Sequence, residues 1–232
     1  MSPQIPLTLK FSTDPGFDSF IGSRDSVIAL QAIANAESKE WLYLSGPAGS
    51  GKSHLLLATC ALAQKQALRA LYFPLTVFAG RLQEVLPDQE NADIVCLDGL
   101  EHCAGNEEDE IALFHFHNRA RAANVTVIYA ARPAPHGLSL LIPDLQSRLG
   151  QCTRLNLESL DDEGRRRVLS QRALQRGLEL DDTVLDYMFK RVGRDLLTLT
   201  TLLDKLDRES LAAQRKITVP FLRKLLERQF QA

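Results

Sequence analysis

Apolar and polar positions follow different patterns in the two parts of the chain. Up to about residue 160, short continuous apolar runs alternate with longer segments in which apolar residues recur every three or four positions. The short runs are typical of strands buried on both faces, and the longer segments are typical of helices. Their alternation predicts an α/β domain, in which a parallel sheet carries helices on both faces.

The same pattern assigns the individual elements of this first part. The predicted strands are residues 41–44, 69–75, 94–97, 125–130 and 154–157. The predicted helices are residues 25–36, 55–63, 76–86 and 107–123. The last of these helices begins with an acidic run, 107–110, which the helix dipole favours in a first turn.

After residue 160 the strand pattern disappears, and only helical segments follow. They are residues 162–175, 182–192, 195–213 and 219–230. We therefore expect an α/β domain over 17–160 and an all-α domain over 161–232. Residues 1–16 contain three prolines and little periodicity, which predicts an extended N-terminal arm.

Composition and charge limit the classes of function. The net charge is −2 with a pI near 6.2, so the chain has no overall attraction for nucleic acid. It has neither an apolar run long enough for a membrane span nor the features of a signal peptide, and we expect a cytoplasmic protein without membrane contact. The four cysteines show no C-x-x-C spacing, which favours buried free thiols over a zinc site.

A phosphate-binding loop gives the first indication of chemistry. The segment between the first predicted strand and the next helix matches G-x-x-x-x-G-K-[ST] in full. Backbone N–H groups of such a loop surround the phosphates, while its lysine reaches the β- and γ-phosphates and its serine holds Mg²⁺. We expect ADP or ATP with Mg²⁺, bound by Gly46, Pro47, Ala48, Gly49, Ser50, Gly51, Lys52, Ser53 and the adjacent His54.

Asp98 is the second predicted Mg²⁺ ligand. It ends the apolar strand 94–97, about 45 residues after Lys52. An acid at the end of a buried strand downstream of a phosphate loop is typical of a Walker B site, whose carboxylate holds the metal. The alternative is that Asp98 only ends the strand.

The order of these motifs resembles the DnaA-related branch of the AAA+ superfamily, which contains the replication initiator DnaA and its smaller relative Hda. Residues 17–21 resemble the entry of that fold, which implies that Phe20 and Ile21 pack over the adenine. Residues 144–149 resemble the segment with the arginine finger, here Arg148. Residues 193–196 resemble the start of a sensor 2 helix, here with Arg194.

Each arginine assignment has a plainer alternative. Arg148 would instead form a local salt bridge, for example to Asp144, and Arg194 would be a solvated residue at a helix end. The run 165–167, three consecutive arginines, is most simply a solvated helix face and otherwise a patch for DNA or an acidic partner.

Departures from the family pattern predict weak hydrolysis at the chain's own site. AAA+ ATPases have a second acid after the Walker B aspartate, and this position is Gly99. Glu101 lies nearby but outside the usual register. The family places a polar group after the sensor 1 strand, where this chain has Ala130 and Ala131. Nucleotide binding is therefore expected to be intact and hydrolysis impaired.

The N-terminal peptide resembles the sequence by which Hda docks on the DNA sliding clamp. Gln4, Ile5, Leu7 and Leu9 would be its contact residues, and the flanking prolines favour an extended chain. The alternative is an ordinary unstructured terminus. The resemblance also implies no helix-turn-helix domain after the last helix, and hence no direct sequence-specific DNA binding.

Together the resemblance implies a nucleotide-bound regulator that binds the clamp of DNA polymerase III and stimulates ATP hydrolysis by DnaA through Arg148. This activity would inhibit the initiation of replication. Two alternatives stay open: an ATPase or loader that hydrolyses its own ATP, and a nucleotide-gated clamp adaptor. A homodimer that hides Arg148 is a further open point.

Overall fold

The computed structural model describes residues 16–213 and 216–230. The peptide with Gln4, Ile5, Leu7 and Leu9 lies outside the described residues, so its predicted clamp contacts stay predictions. No helix in the described part of the chain is long and apolar enough to cross a membrane.

Five parallel strands form one sheet in the order β2-β3-β4-β1-β5. Their bounds are β1 Leu42–Ser45, β2 Ala70–Pro74, β3 Ile94–Asp98, β4 Thr126–Ala131 and β5 Thr153–Asn156. The predicted parallel α/β fold is confirmed. Because the strands are parallel, the phosphate loop after β1 and the aspartate that ends β3 lie at the same carboxyl edge of the sheet, with only β4 between the two strands.

Helices cover both faces of this sheet and then form a separate layer. The first part contains α1 Arg24–Ala34, α2 Lys52–Lys65, α3 Leu75–Phe78, α4 Leu82–Val85, α5 Glu107–Ala122 and α6 Pro143–Gly150. The lid, as we call the helices from residue 162 onward, contains α7 Asp162–Gln175, α8 Asp182–Arg191, α9 Leu196–Ala213 and α10 Val219–Phe230.

Alternation along β1 shows how the two faces are separated. Leu42 and Leu44 are fully buried in a cluster with residues of α1 and α2. Tyr43, between them, is buried in the opposite cluster, which contains residues of α5 and α6. Because side chains of a strand point alternately to opposite faces, an all-apolar strand supplies two cores at once.

The predicted helix over 76–86 is wrong. The chain forms two single-turn helices there, α3 and α4, separated by Gly80 with φ +79°. The buried Asp109 carboxylate explains the break, since it accepts hydrogen bonds from the N–H groups of Gly80 and Leu82 at 2.5 and 3.0 Å. An external acceptor thus replaces the helical partners of these groups.

Helix α6 was not predicted, although its sequence motif was noted. Its start is held by Glu110, whose buried carboxylate accepts from the N–H groups of Leu141 and Ile142 at 2.8 and 2.9 Å and from that of Gly105 at 2.7 Å. The acidic run at the start of α5 therefore contributes more than a favourable dipole. Two of its carboxylates hold neighbouring segments in place.

The lid has its own apolar core and contacts the first part of the chain. Its buried residues come from all four lid helices, with Leu169, Met188, Leu203 and Leu222 almost fully enclosed. Gln171 Nε2 donates to the backbone carbonyl of Asp18 at 3.3 Å and so links α7 to the entry segment. The predicted all-α region after the sheet is confirmed.

Candidate functional site

The phosphate loop joins β1 to α2 and has the backbone that its glycines allow. Gly51 precedes α2 with φ +93°, and Lys52 is the first helical residue. A Cβ at Gly51 would lie 2.6 Å from Cε2 of Phe20, so the phenyl ring packs directly on this glycine. The N–H groups at the start of α2 face the position that phosphates would occupy.

Lys52 folds back onto this loop. Its Nζ donates to the carbonyls of Gly46 and Pro47 at 2.6 and 2.9 Å, and its side chain is largely buried. Burial lowers the pKa of Lys52, and the carboxylates of Glu101 and Asp98 oppose that shift. The ammonium is thus held at the loop, where phosphate oxygens would compete with the two carbonyls.

The donor set fits a hard cation such as Mg²⁺. Asp98 ends β3, and its carboxylate accepts from the Tyr72 hydroxyl at 2.7 Å. Ser53 also lies close enough to the Tyr72 hydroxyl to affect its pKa, so the two predicted Mg²⁺ ligands lie near one hydroxyl group. Burial and the Asp98 charge raise the pKa of Tyr72, which keeps this hydroxyl protonated. The oxygens of Ser53 and Asp98 would hold the ion, which would supply positive charge against the phosphates.

A cavity of about 300 Å³ lies between the loop and the lid. Phe20, Ile21 and His54 line it together with the loop, so the structure brings these predicted residues to one place. The lid contributes Val168, Gln171, Arg172, Gln175, Arg176, Leu196 and Asp204. One wall therefore belongs to the α/β part and the other to α7 and α9.

His54 connects the loop helix to the entry segment. Its Nε2 lies 3.0 Å from the carbonyl oxygen of Gly16 and 3.3 Å from the Ser19 hydroxyl, and its ring stacks on Phe20. Burial lowers the pKa of His54. A neutral imidazole next to an aromatic ring suits the base end of the cavity better than the phosphate end.

Arg194 faces the loop from the lid. It lines a second cavity of about 300 Å³ with Ala48 and Gly49 of the loop, and its NH1 lies 2.9 Å from Oδ2 of Asp162. Arg165 lines the same cavity. The arginine run 165–167 is consequently not one surface: Arg166 pairs with Asp186 of α8, and Arg167 is exposed.

Arg148 lies far from the loop of its own chain. It is in the last turn of α6, five residues before Thr153, which pairs with Leu42 at the beginning of β1. The phosphate loop follows the other end of β1, and a four-residue strand separates its first and last residues by about 10 Å. The Arg148 guanidinium lies over the Phe114 ring, 4.9 Å from its centroid, and no ion pair with Asp144 is found among the described residues.

The positions expected to support ATP hydrolysis lack the acidic and polar side chains that AAA+ ATPases have there. Gly99 has φ +91°, and a Cβ there would lie 2.9 Å from the ring of His102. Glu101 is bound to Arg132: its carboxylate accepts from the Arg132 backbone N–H at 3.1 Å and lies 3.2 Å from Nε. Ala130 and Ala131 are fully buried and present no polar side chain.

Sequence reasoning missed the α7 and α9 residues that line the first cavity, and it missed three further residues that contact the site. Tyr72 belongs to an apolar strand, Asp162 to an ordinary helix start, and Arg165 to a charged run, so none matched a motif. The register of β2 against β3, in which Tyr72 pairs with Cys96, is what brings the hydroxyl to Asp98. This register depends on tertiary packing.

These features define a P-loop nucleotide-binding protein with a helical lid, as in the AAA+ class. The family model of the bacterial DnaA ATPase domain matches residues 11–155, and that of the Hda lid domain matches residues 162–226. The chain therefore belongs to the DnaA-related AAA+ family and is close to Hda.

The chain is also similar to one other protein over nearly its whole sequence and to solved DnaA structures in fold. An uncharacterized protein of Haemophilus influenzae is 36% identical over 229 residues, covering 97% of this chain and 99% of that one. Domain III of Thermotoga maritima DnaA has a TM-score of 0.77 at 21% identity and covers 92% of this chain and 96% of its own. AMPPCP-bound DnaA from Aquifex aeolicus has a TM-score of 0.66 at 22% identity, with 83% of this chain and 65% of that chain covered.

Proposed function

We propose that the chain is a nucleotide-bound regulator that stimulates ATP hydrolysis at the phosphate loop of a partner, the initiator DnaA. The observation that carries the proposal is the position of Arg148, which lies at the opposite end of β1 from the chain's own loop. An arginine finger contributes about 10³ to 10⁵ in rate when it reaches a transferring phosphoryl group. At this position it lies away from its own loop, so the phosphoryl group that it would contact is one bound by another chain.

The chain's own site supports the first part of this proposal, which is that the chain holds a nucleotide without hydrolysing it. The loop, Lys52, Ser53 and Asp98 would hold ADP or ATP with Mg²⁺, which the contacts of Lys52 and Asp98 and the AMPPCP bound to a related DnaA support. Hydrolysis lacks a general base in the usual place, because Gly99 carries no acid and Glu101 is bound to Arg132. The nucleotide would then fix the lid against the sheet instead of being consumed.

The second part of the proposal concerns two partners, the sliding clamp and DnaA. The N-terminal peptide with Gln4, Ile5, Leu7 and Leu9 would tether the chain to the sliding clamp on DNA. A tether raises the effective concentration of Arg148 near the initiator without adding contacts. Hydrolysis by DnaA would leave the initiator in its ADP form, and initiation of replication would be inhibited.

The direct test is a conversion assay. Purified DnaA loaded with labelled ATP is mixed with this chain, the clamp and DNA, and the formation of bound ADP is followed. The proposal predicts faster conversion with the chain than without it. It also predicts loss of this gain for Gln4→Ala, which removes the tether, and for Lys52→Ala, which removes the bound nucleotide. Conversion that is unchanged by the wild-type chain would contradict the proposal.

The main rival is an ATPase that turns over its own ATP. Glu101 is the residue that favours it, because its charge partly opposes the lowering of the Lys52 pKa by burial and so acts near the loop. Steady-state hydrolysis by the isolated chain distinguishes the two. A substantial rate that is lost in both Lys52→Ala and Glu101→Gln would favour the rival. We expect a rate near background for all three proteins.

A further inference from the structure

One carboxylate of the lid holds two arginines from different segments. Oδ1 of Asp162, at the start of α7, accepts from Arg165 NH1 at 2.8 Å. Its Oδ2 lies 2.9 Å from NH1 of Arg194, which belongs to the connection between α8 and α9. The carboxylate thus bridges two guanidinium groups that are 29 residues apart in sequence.

Both arginines face the phosphate loop. They line the second cavity, of about 300 Å³, whose other wall contains Ala48 and Gly49. The lid is in contact with the loop here, because a Cβ at Gly49 would lie 3.4 Å from Cβ of Leu196. A phosphate group held by the loop is therefore within the reach of long side chains from this wall of the lid.

The charges around the cavity favour an anion. Asp195 also lines it, but its carboxylate already accepts from the N–H and the hydroxyl of Thr198, both at 2.8 Å. Asp195 also acts on Arg165 through its charge, but Asp162 is the carboxylate that contacts both Arg165 and Arg194. Arginine binds phosphate oxygens through two parallel N–H groups, as it binds a carboxylate. A terminal phosphate therefore offers each arginine oxygens that can replace the single Asp162 oxygen that it contacts.

We propose that Arg165 is a second phosphate-binding arginine of the lid and that Asp162 is an exchangeable counter-ion. Without nucleotide, Asp162 keeps Arg165 and Arg194 together. With a nucleoside diphosphate or triphosphate at the loop, the guanidinium groups donate to phosphate oxygens and give up part of their contact with Asp162. The position of the lid is thereby coupled to occupancy of the loop. This inference rests on the proposed nucleotide binding at that loop.

The test measures the dissociation constants of MgADP and MgATP for the full chain and its variants by calorimetry. Arg165→Ala is expected to weaken binding about tenfold, as the loss of a charge-assisted phosphate contact does. Asp162→Asn is expected to tighten it about threefold, because the competing anion is removed. Arg167→Ala is the matched control, since Arg167 is exposed on the same helix and lines neither cavity.

A purely structural role for the contacts of Asp162 with the two arginines predicts the opposite effect of Asp162→Asn on nucleotide affinity. If the bridge only stabilised the lid, Asp162→Asn would weaken binding and lower the unfolding temperature together. If Arg165→Ala bound nucleotide with the same affinity as Arg167→Ala, the inference would be overturned and the proposed function would be unaffected. Wild-type binding that does not depend on Lys52 would overturn both.

Discussion

The hydroxyl of Tyr72 donates a hydrogen bond of 2.7 Å to the carboxylate of Asp98. The two side chains come from neighbouring strands, β2 and β3, and meet at the carboxyl edge of the sheet. Tyr72 therefore orients the aspartate that is predicted to hold Mg²⁺. Support of this kind for a metal ligand is a general feature of metal sites.

Tyr72→Phe removes this hydrogen bond and keeps the ring. We expect the Mg²⁺-dependent part of the nucleotide affinity to fall about fivefold, which corresponds to a hydrogen bond of about 1 kcal/mol. Titrations in Mg²⁺ and in EDTA measure that part, and the affinity in EDTA is the internal control. An equal loss in both titrations would mean that Tyr72 acts only through packing.

Gly99 is held in a conformation that a second acid at this position would strain. Gly99→Ala places a Cβ 2.9 Å from the His102 ring at φ +91°, and we expect it to destabilise the fold by about 1–3 kcal/mol. Gly105→Ala is the matched control, because Gly105 has φ +85° in the same loop with nothing within 4 Å of its Cβ position. Urea unfolding of both variants separates backbone strain from the contact with His102. Equal destabilisation would show that the contact contributes nothing.

Glu110 connects α5 to the start of α6, the helix that carries Arg148. Glu110→Gln replaces one acceptor oxygen with a donor group that faces buried N–H groups, and we expect about 2 kcal/mol of destabilisation. For a chain of this size, the unfolding temperature would then fall by about 4–8 °C. Glu107→Gln, in the exposed first turn of the same helix, should lower it by about 2 °C or less. Equal shifts for the two variants would contradict this account of α6.

His117 gives the fold a specific pH dependence. It is buried beside Tyr129, and burial together with the charges of Arg148 and Arg121 lowers its pKa to about 4. Because the folded-state pKa is below the unfolded value of about 6.5, the unfolded chain binds the proton first as the pH falls. The free energy of unfolding should therefore fall by roughly 2–3 kcal/mol between about pH 6.5 and pH 4.

The variant His117→Gln should lose most of this slope. The buried His54 also has a lowered pKa and contributes to it, so the informative quantity is the difference between the wild-type and variant profiles. Chemical unfolding at half-unit pH steps measures both profiles. Identical slopes would show that His117 does not titrate in the way its burial predicts.

The sheet and the loop could be predicted because their signals are local. The apolar runs of β1 and β3 favour strands, and the glycines of the phosphate loop allow its tight turn. The structure has these features where the sequence predicted them. The break at Gly80 was missed because its cause, Asp109, is 29 residues away. Asp162 and Arg165 were missed for a similar reason, since only the packing of the lid against the loop gives them a role.

The separation of Arg148 from its own phosphate loop also depends on how the strands of the sheet are paired. The sequence motif identified the residue, but its distance from its own loop follows from the pairing of Thr153 with the first residue of β1. That placement is the reason for assigning it to a partner's site. Its guanidinium lies over the Phe114 ring, and among the described residues it forms no ion pair with Asp144.

The most direct test of the central claim is the conversion of DnaA-bound ATP to ADP in the presence of clamp and DNA, with Arg148→Ala compared with Arg24→Ala. Arg24 is exposed on α1, on the other face of the sheet, and serves as the matched control. The account predicts that Arg148→Ala binds nucleotide and clamp like the wild type but loses the acceleration, while Arg24→Ala retains it. Conversion by Arg148→Ala at the wild-type rate would contradict the account.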